Sequence, residues 1–225
     1  QAAVGASLTA GDRAGRLTAA VLALVALATS LLHLGRPLYA WKALRNLRRS
    51  WLSREVALFG AYGGLAALAV GVPAAAPLAA LVGVAGVYAS GRLYMVPGRP
   101  AWCTALTLAR FGSTTLALGG LVTGQRIVGI GGVTAGLAVT VANLARLARG
   151  ERIEWWGTVR LALRRFRHLS ALGAALAVGG IVSATAGPLL LAFGLVAGCE
   201  LIGRYLFYVT VVPLDMPGSF LRSTR

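Results

Sequence analysis

The chain has 225 residues, 57% hydrophobic and only 12% charged, with a mean hydropathy of +0.75. About a quarter of the residues of a soluble domain are charged, so this composition excludes one and indicates a polytopic membrane protein. The net charge of +16, from 22 Lys and Arg against 6 Asp and Glu, could suit nucleic acid, but no soluble basic face exists to carry such a contact. The arginines instead flank apolar runs, where lipid phosphates or an acidic partner would meet them.

The first residues, QAAVGASL, are apolar but too short to span, and they lack the basic start and cleavage site of a signal peptide. They read as the tail of a further helix. Seven apolar runs follow, at about 16–34, 54–72, 74–93, 101–122, 126–147, 158–182 and 186–211, each close to the 20 or so residues a helix needs to cross a bilayer. Turn formers separate them: Gly71 and Pro73, Pro97 and Pro100, Gly187 and Pro188. The expected fold is an all-α polytopic transmembrane helix bundle. It has seven complete spans plus the tail of an eighth at the N-terminus, in one integral-membrane domain over residues 1–225.

Threaded alternately, these spans put 17 basic residues on one side, from Arg36 to Arg225, and three on the other, Arg13, Arg16 and Arg126. Arg110 and Arg204 fall inside spans. By the positive-inside rule the Arg-rich side, with the C-terminus, is cytoplasmic. Small residues abound, including a Gly194/Gly198 step in the last span and Gly129, Gly132 and Gly136 in the fifth; the expected role is close helix packing.

Chemistry-bearing residues are few. His33 ends the first complete span and Glu55 opens the next, both on the Arg-rich side. An imidazole exchanges a proton near neutral pH and a carboxylate at the lipid boundary can pass it to water, as quinone chemistry requires; a cap or interfacial anchor is the plainer role for such a histidine. Between them Leu38, Trp41, Leu44, Leu47 and Trp51 recur at helical spacing, with Lys42, Arg45 and Arg49 on another face. This predicts a short interfacial helix, either a lipid-anchored connector or a basic platform for an acidic subunit. Glu200 and Arg204, four apart, predict mutual neutralisation, and Arg110 must face the bundle or a wet cavity.

Cys103 and Cys199 lie in different runs without CxxC spacing, so neither an iron–sulfur cluster nor a zinc site is expected in this chain. One b-type haem would consume both histidines, His33 and His168.

Four blocks, HLGRP at 33–37, WLSRE at 51–55, GRLYMVPGRPAW at 91–102 and GRYLFYVTVVPLDMPGSF at 203–220, resemble the membrane anchor subunit of dimethyl sulfoxide reductase and its relatives over nearly the whole chain. The resemblance implies eight spans, no haem, and a menaquinol site exchanging electrons with a four-cluster iron–sulfur subunit that feeds a molybdopterin catalytic subunit in a bacterial inner membrane. It maps the family's quinol-associated histidine and glutamate onto His33 and Glu55. In the best-known member the histidine-bearing side is periplasmic, whereas the arginine count here argues for the cytoplasm. The resulting expectation is a quinol-oxidising subunit outside the catalytic core, with His33 and Glu55 handling protons and Arg36 and Arg54 holding the local potential positive. A secondary transporter working through Arg110, Glu200 and Arg204, and a passive tether for a soluble enzyme, are the alternatives.

Overall fold

The computed structural model describes residues 1–32 and 37–214, the side chains of 37 and 38 excepted. Among these residues there is no strand. The α-helices are α1 (Ala2–Thr9), α2 (Arg13–Leu32), α3 (Trp51–Gly71), α4 (Ala76–Tyr94), α5 (Ala105–Val122), α6 (Arg126–Arg149), α7 (Ile153–Arg160), α8 (Arg167–Ala186) and α9 (Leu189–Val209). Among the described residues six helical segments are long and apolar enough to cross a membrane: α2, α4 with its 3-10 lead from Pro73, α5, α6, α8 and α9. The remaining long helix, α3, spans 21 residues but carries Arg54 and Glu55 in its first turns. The all-helical architecture follows from the bilayer, which offers backbone groups no water and so demands that each segment satisfy its own hydrogen bonds.

The described chain divides into two compact units, one of residues 1–93 and 111–132 and one of residues 94–110 and those from 133 on. In the first unit the short α1 is the centre of packing. Val4 and Ala6 are fully enclosed, and a Cβ on Gly5 would overlap the Thr115 carbonyl of α5, while one on Gly119 would overlap the Gly5 backbone. Polar bonds fasten the same helix: Ser7 Oγ shares a hydrogen bond with Tyr62 Oη of α3 at 2.9 Å, and Thr9 Oγ1 with Thr123 Oγ1 at 2.6 Å. Lipid supplies no hydrophobic drive between helices, so backbone contact and hydroxyl bonds together hold α1 in place.

The turn after α5 ends on Gly124 at φ 82°. Gln125 N–H donates to Gly120 O at 2.7 Å and Gly124 N–H to Leu121 O at 3.3 Å, the paired bonds of a Schellman cap that only glycine enters at low cost. Beyond it Gly132 lies against the backbone of Ala117, so two of the small residues expected to permit close packing, Gly132 and Gly129, do so. Gly194 does not, since a Cβ there would meet nothing within 4 Å.

In the second unit α8 and α9 form an antiparallel hairpin turned by Gly187 and Pro188. Positions facing each other run in opposite sense: Gly173 looks onto Ile202, Gly198 onto Leu176 and Gly180 onto Val196. The sixth expected span is misplaced at its start. Residues from 153 form α7, then a π-turn over Leu161–Arg165, and only from Arg167 does a membrane-crossing helix run, to Ala186. Phe166 N–H donates to Leu161 O at 2.9 Å and Ser170 Oγ donates to Ala162 O at 2.8 Å across the break. Arg164, Arg165 and Arg167 are exposed there; a cluster of like charges cannot continue into hydrocarbon, so the helix breaks where they emerge.

Gly119→Leu is expected to lower stability by about 1–3 kcal/mol or more, because backbone atoms cannot yield to an added side chain. Thermal unfolding in detergent checks this, with Gly194→Leu, at an open position, as the near-neutral control.

Candidate functional site

The connector before α3 is a short helix of the 3-10 type, Pro37–Asn46, which ends before Trp51. The apolar positions 38, 41, 44 and 47 recur every third residue, which is the 3-10 repeat, and the outward-facing Trp41, Leu44 and Leu47 suit headgroup depth. Ser50 then caps α3 by accepting a hydrogen bond from Ser53 N–H at 3.2 Å, so Trp51 belongs to the helix that follows.

Arg54 turns back from α3. Its Nε donates to Leu47 O at 2.9 Å and its Nη2 to Arg48 O at 2.7 Å, tying down the end of the connector. The Trp51 ring takes two guanidiniums, Arg54 at 4.4 Å and Arg92 of α4 at 5.0 Å, with Tyr88 edge-on at 5.9 Å. Glu55, one helical turn beyond Trp51, is half-buried. Of the four expected site residues the structure therefore brings Arg54 and Glu55 to one rim, whereas His33 and Arg36 lie outside the described residues. Arg92 joins this rim unanticipated. Its only sequence signal is its place in the GRLYMVPGRPAW block on the same side.

Residues 94–102 and 203–214 of the other two sequence blocks meet in the second unit. Trp102 stacks on Phe207 at 4.7 Å and donates from Nε1 to the Phe207 carbonyl at 3.0 Å, and Tyr94 meets both rings edge-on at 5.6 and 5.4 Å. Leu214 N–H donates to Gly98 O at 3.1 Å, and Val211 joins Ala101, Leu147 and Val159 in a small buried core. Arg146 reinforces the same end, bonding Asn143 Oδ1 through Nη2 at 3.0 Å and resting over Trp155 at 5.0 Å.

Deeper in this unit Arg110 of α5 pairs with Glu200 of α9, Nη1 to Oε1 at 3.0 Å, with 22% and 10% of their side chains exposed. An interhelical salt bridge thus answers the cost of Arg110 in the membrane, a partnership that spacing along one helix does not reveal. The pair and Arg204 line a cavity of about 370 Å³. Among the described residues no three His, Cys, Asp or Glu side chains are grouped to hold a metal ion. His168 is exposed and accepts a hydrogen bond from Arg167 Nε at 3.3 Å.

Two outcomes follow from these bonds. Arg54→Ala frees the connector carbonyls, and chymotryptic cleavage at Tyr39 and Trp41 should become faster while the Arg54→Lys protein, which retains a donor, falls between it and wild type. Glu200→Ala strands the Arg110 charge and should cost about 3–5 kcal/mol, read as loss of thermal stability that Arg110→Leu/Glu200→Leu largely restores.

The sequence pattern of the DMSO reductase anchor subunit family (DmsC) matches residues 13–182. A curated relative, one of the subunits of the sulfite dehydrogenase of Allochromatium vinosum, is 32% identical over 190 residues, covering 70% of this chain. The match spans 58% of that relative's length. No solved structure matches. With three-quarters of its length matched and its helices apolar enough for several membrane crossings, the chain is a multi-pass membrane protein belonging to the DMSO reductase anchor subunit family.

Proposed function

We propose that the chain is the quinone-reactive anchor of a membrane-bound molybdopterin oxidoreductase, exchanging electrons between menaquinol and a partner iron–sulfur subunit. The observation that carries this reading is the family match, which contains both the HLGRP and WLSRE blocks and hence His33 and Glu55 within one matched stretch. The oxidation releases two protons and two electrons from the quinol hydroxyl pair. The electrons pass to a cluster of the partner. In this reading His33 accepts a proton from, or hydrogen-bonds, one hydroxyl, and Glu55 passes protons to the aqueous edge.

Arg54 and Arg36 supply positive potential that favours a deprotonated quinol intermediate. Arg54 is well suited to this, because its bonds to Leu47 O and Arg48 O hold the guanidinium at a fixed place one residue from Glu55. A fixed charge costs no reorganisation when the negative charge develops. The complex is assigned to a bacterial inner membrane with the Arg-rich side in the cytoplasm, since 17 basic residues against three satisfy the positive-inside rule that way.

His33→Asn in the assembled complex should slow reduction of the partner's clusters by menaquinol about 10²- to 10⁴-fold, the usual worth of a positioned proton acceptor, while a dithionite control still reduces them. Wild-type quinol-dependent reduction in the assembled variant would end the assignment.

A further inference from the structure

We propose that the second unit holds an anionic phospholipid of the Arg-rich leaflet, with one acyl chain in its cavity and the phosphate on Arg164, Arg165 and Arg167. Every residue lining the cavity comes from residues 101–110 and 133–211. None belongs to the rim proposed for the quinol, so the two readings stand or fall separately.

The cavity, about 370 Å³ in volume, is a slot along a helix axis. Its lining follows one face of α6 from Val133 through Gly136, Thr140 and Leu144 to Leu147, a rise of about 21 Å. That is close to one leaflet with its headgroups, half of a bilayer of roughly 40–45 Å. Leu147 stands at the end of α6 that carries Arg146 and Arg149, and Val133 just past the helix midpoint. Such a length matches an extended acyl chain, not a compact ring.

The wall also suits a chain without polar groups. Five hydroxyls line it, and each spends its one proton on a backbone carbonyl. Thr107 donates to Trp102 O at 2.7 Å, Thr140 to Gly136 O at 2.8 Å, Thr158 to Glu154 O at 3.0 Å, Ser170 to Ala162 O at 2.8 Å and Thr210 to Leu206 O at 2.8 Å. The charged lining residues stand on α5 and α9, where Arg110 and Glu200 bond each other, and the faces of α6 and α8 carry none. A methylene chain lying along α6 and α8 therefore meets aliphatic side chains and satisfied hydroxyls.

The head belongs at the mouth. Leu163, in the π-turn Leu161–Arg165, lines the cavity yet is more than half exposed. Arg164 and Arg165 follow it directly, and Arg167 opens α8 three positions before Ser170 of the wall; all three arginines are exposed. No Asp or Glu occurs in the chain between Glu154 and Glu200. Three guanidiniums within four positions match a phosphodiester, because each offers paired donors to its oxygens and its negative charge lessens their mutual repulsion. A zwitterionic lipid brings its own cation beside the phosphate, so the cluster favours an anionic one.

The test places the full chain in phosphatidylcholine nanodiscs containing phosphatidylglycerol with a diazirine at the end of one acyl chain, and maps photo-adducts by peptide mass spectrometry. Adducts are expected at the deep lining residues Val133, Leu137 and Ala177. They should saturate with probe and be displaced by unlabelled phosphatidylglycerol better than by phosphatidylcholine. Val178 and Leu201, chain neighbours of the wall residues Ala177 and Glu200 but themselves facing outward, report lipid that merely surrounds the protein. Arg164→Gln/Arg165→Gln/Arg167→Gln should weaken the saturable labelling about tenfold or more, whereas Arg164→Lys/Arg165→Lys/Arg167→Lys keeps most of it. Ala174→Trp, at an exposed place on the wall, should abolish it while Val178 and Leu201 still label. Adducts confined to outward-facing positions, equal displacement by phosphatidylcholine, or wild-type labelling in a folded glutamine or Ala174→Trp variant would overturn the proposal. The wild-type adduct map decides even if neither variant folds.

Discussion

Helices in lipid gain nothing by hiding apolar surface from one another, and this constraint governs how the chain holds together. Outward-facing Leu24, Leu81 and Leu201 are simply solvated by acyl chains. Cohesion has to come from contact at very short range and from polar bonds made inside. The first unit meets both requirements at α1, where Gly5 and Gly119 bring two backbones together and the hydroxyls of Ser7 and Thr9 find partners on α3 and at the end of α5. The second unit meets them with Arg110 and Glu200 joined across two helices, and with Trp102 both stacked on and hydrogen-bonded to Phe207.

The same economy explains where charge is tolerated. Most arginines stand at helix ends or in connections, and several are tethered there by carbonyls, aromatic faces or amide oxygens: Arg54 to Leu47 and Arg48, Arg92 to Trp51, Arg146 to Asn143 and Trp155. Such bonds narrow the freedom of long side chains and fix the connecting segments against the helices. Where arginines crowd together after Leu163, the helix itself yields, through a π-turn.

The sequence blocks divide into two kinds once their residues are placed. From Tyr94 on, GRLYMVPGRPAW and the described part of GRYLFYVTVVPLDMPGSF form one aromatic cluster, with Tyr94, Trp102, Phe207 and Tyr208 in mutual contact and Leu214 bonded to Gly98. These blocks are framework. The WLSRE block does something different: it opens α3 with a cap, a tethered guanidinium and a half-buried carboxylate.

The sequence by itself determined that this is an all-helical membrane protein and where most of its helices lie, because hydrophobic run length is a local property. It also placed Arg54 and Glu55 together, since they are neighbours in one helical turn. Partnerships across helices were settled only by tertiary structure. Glu200 makes a salt bridge to Arg110, ninety positions distant in the chain; Arg92 reaches Trp51 only because α3 and α4 pack side by side. Periodicity also left the connector's type open, because apolar residues every third position suit both a 3-10 and an α-helix over so short a stretch. The sixth span began later than hydropathy suggested for a related reason: averaging along the chain cannot see that neighbouring arginines need an exit to water.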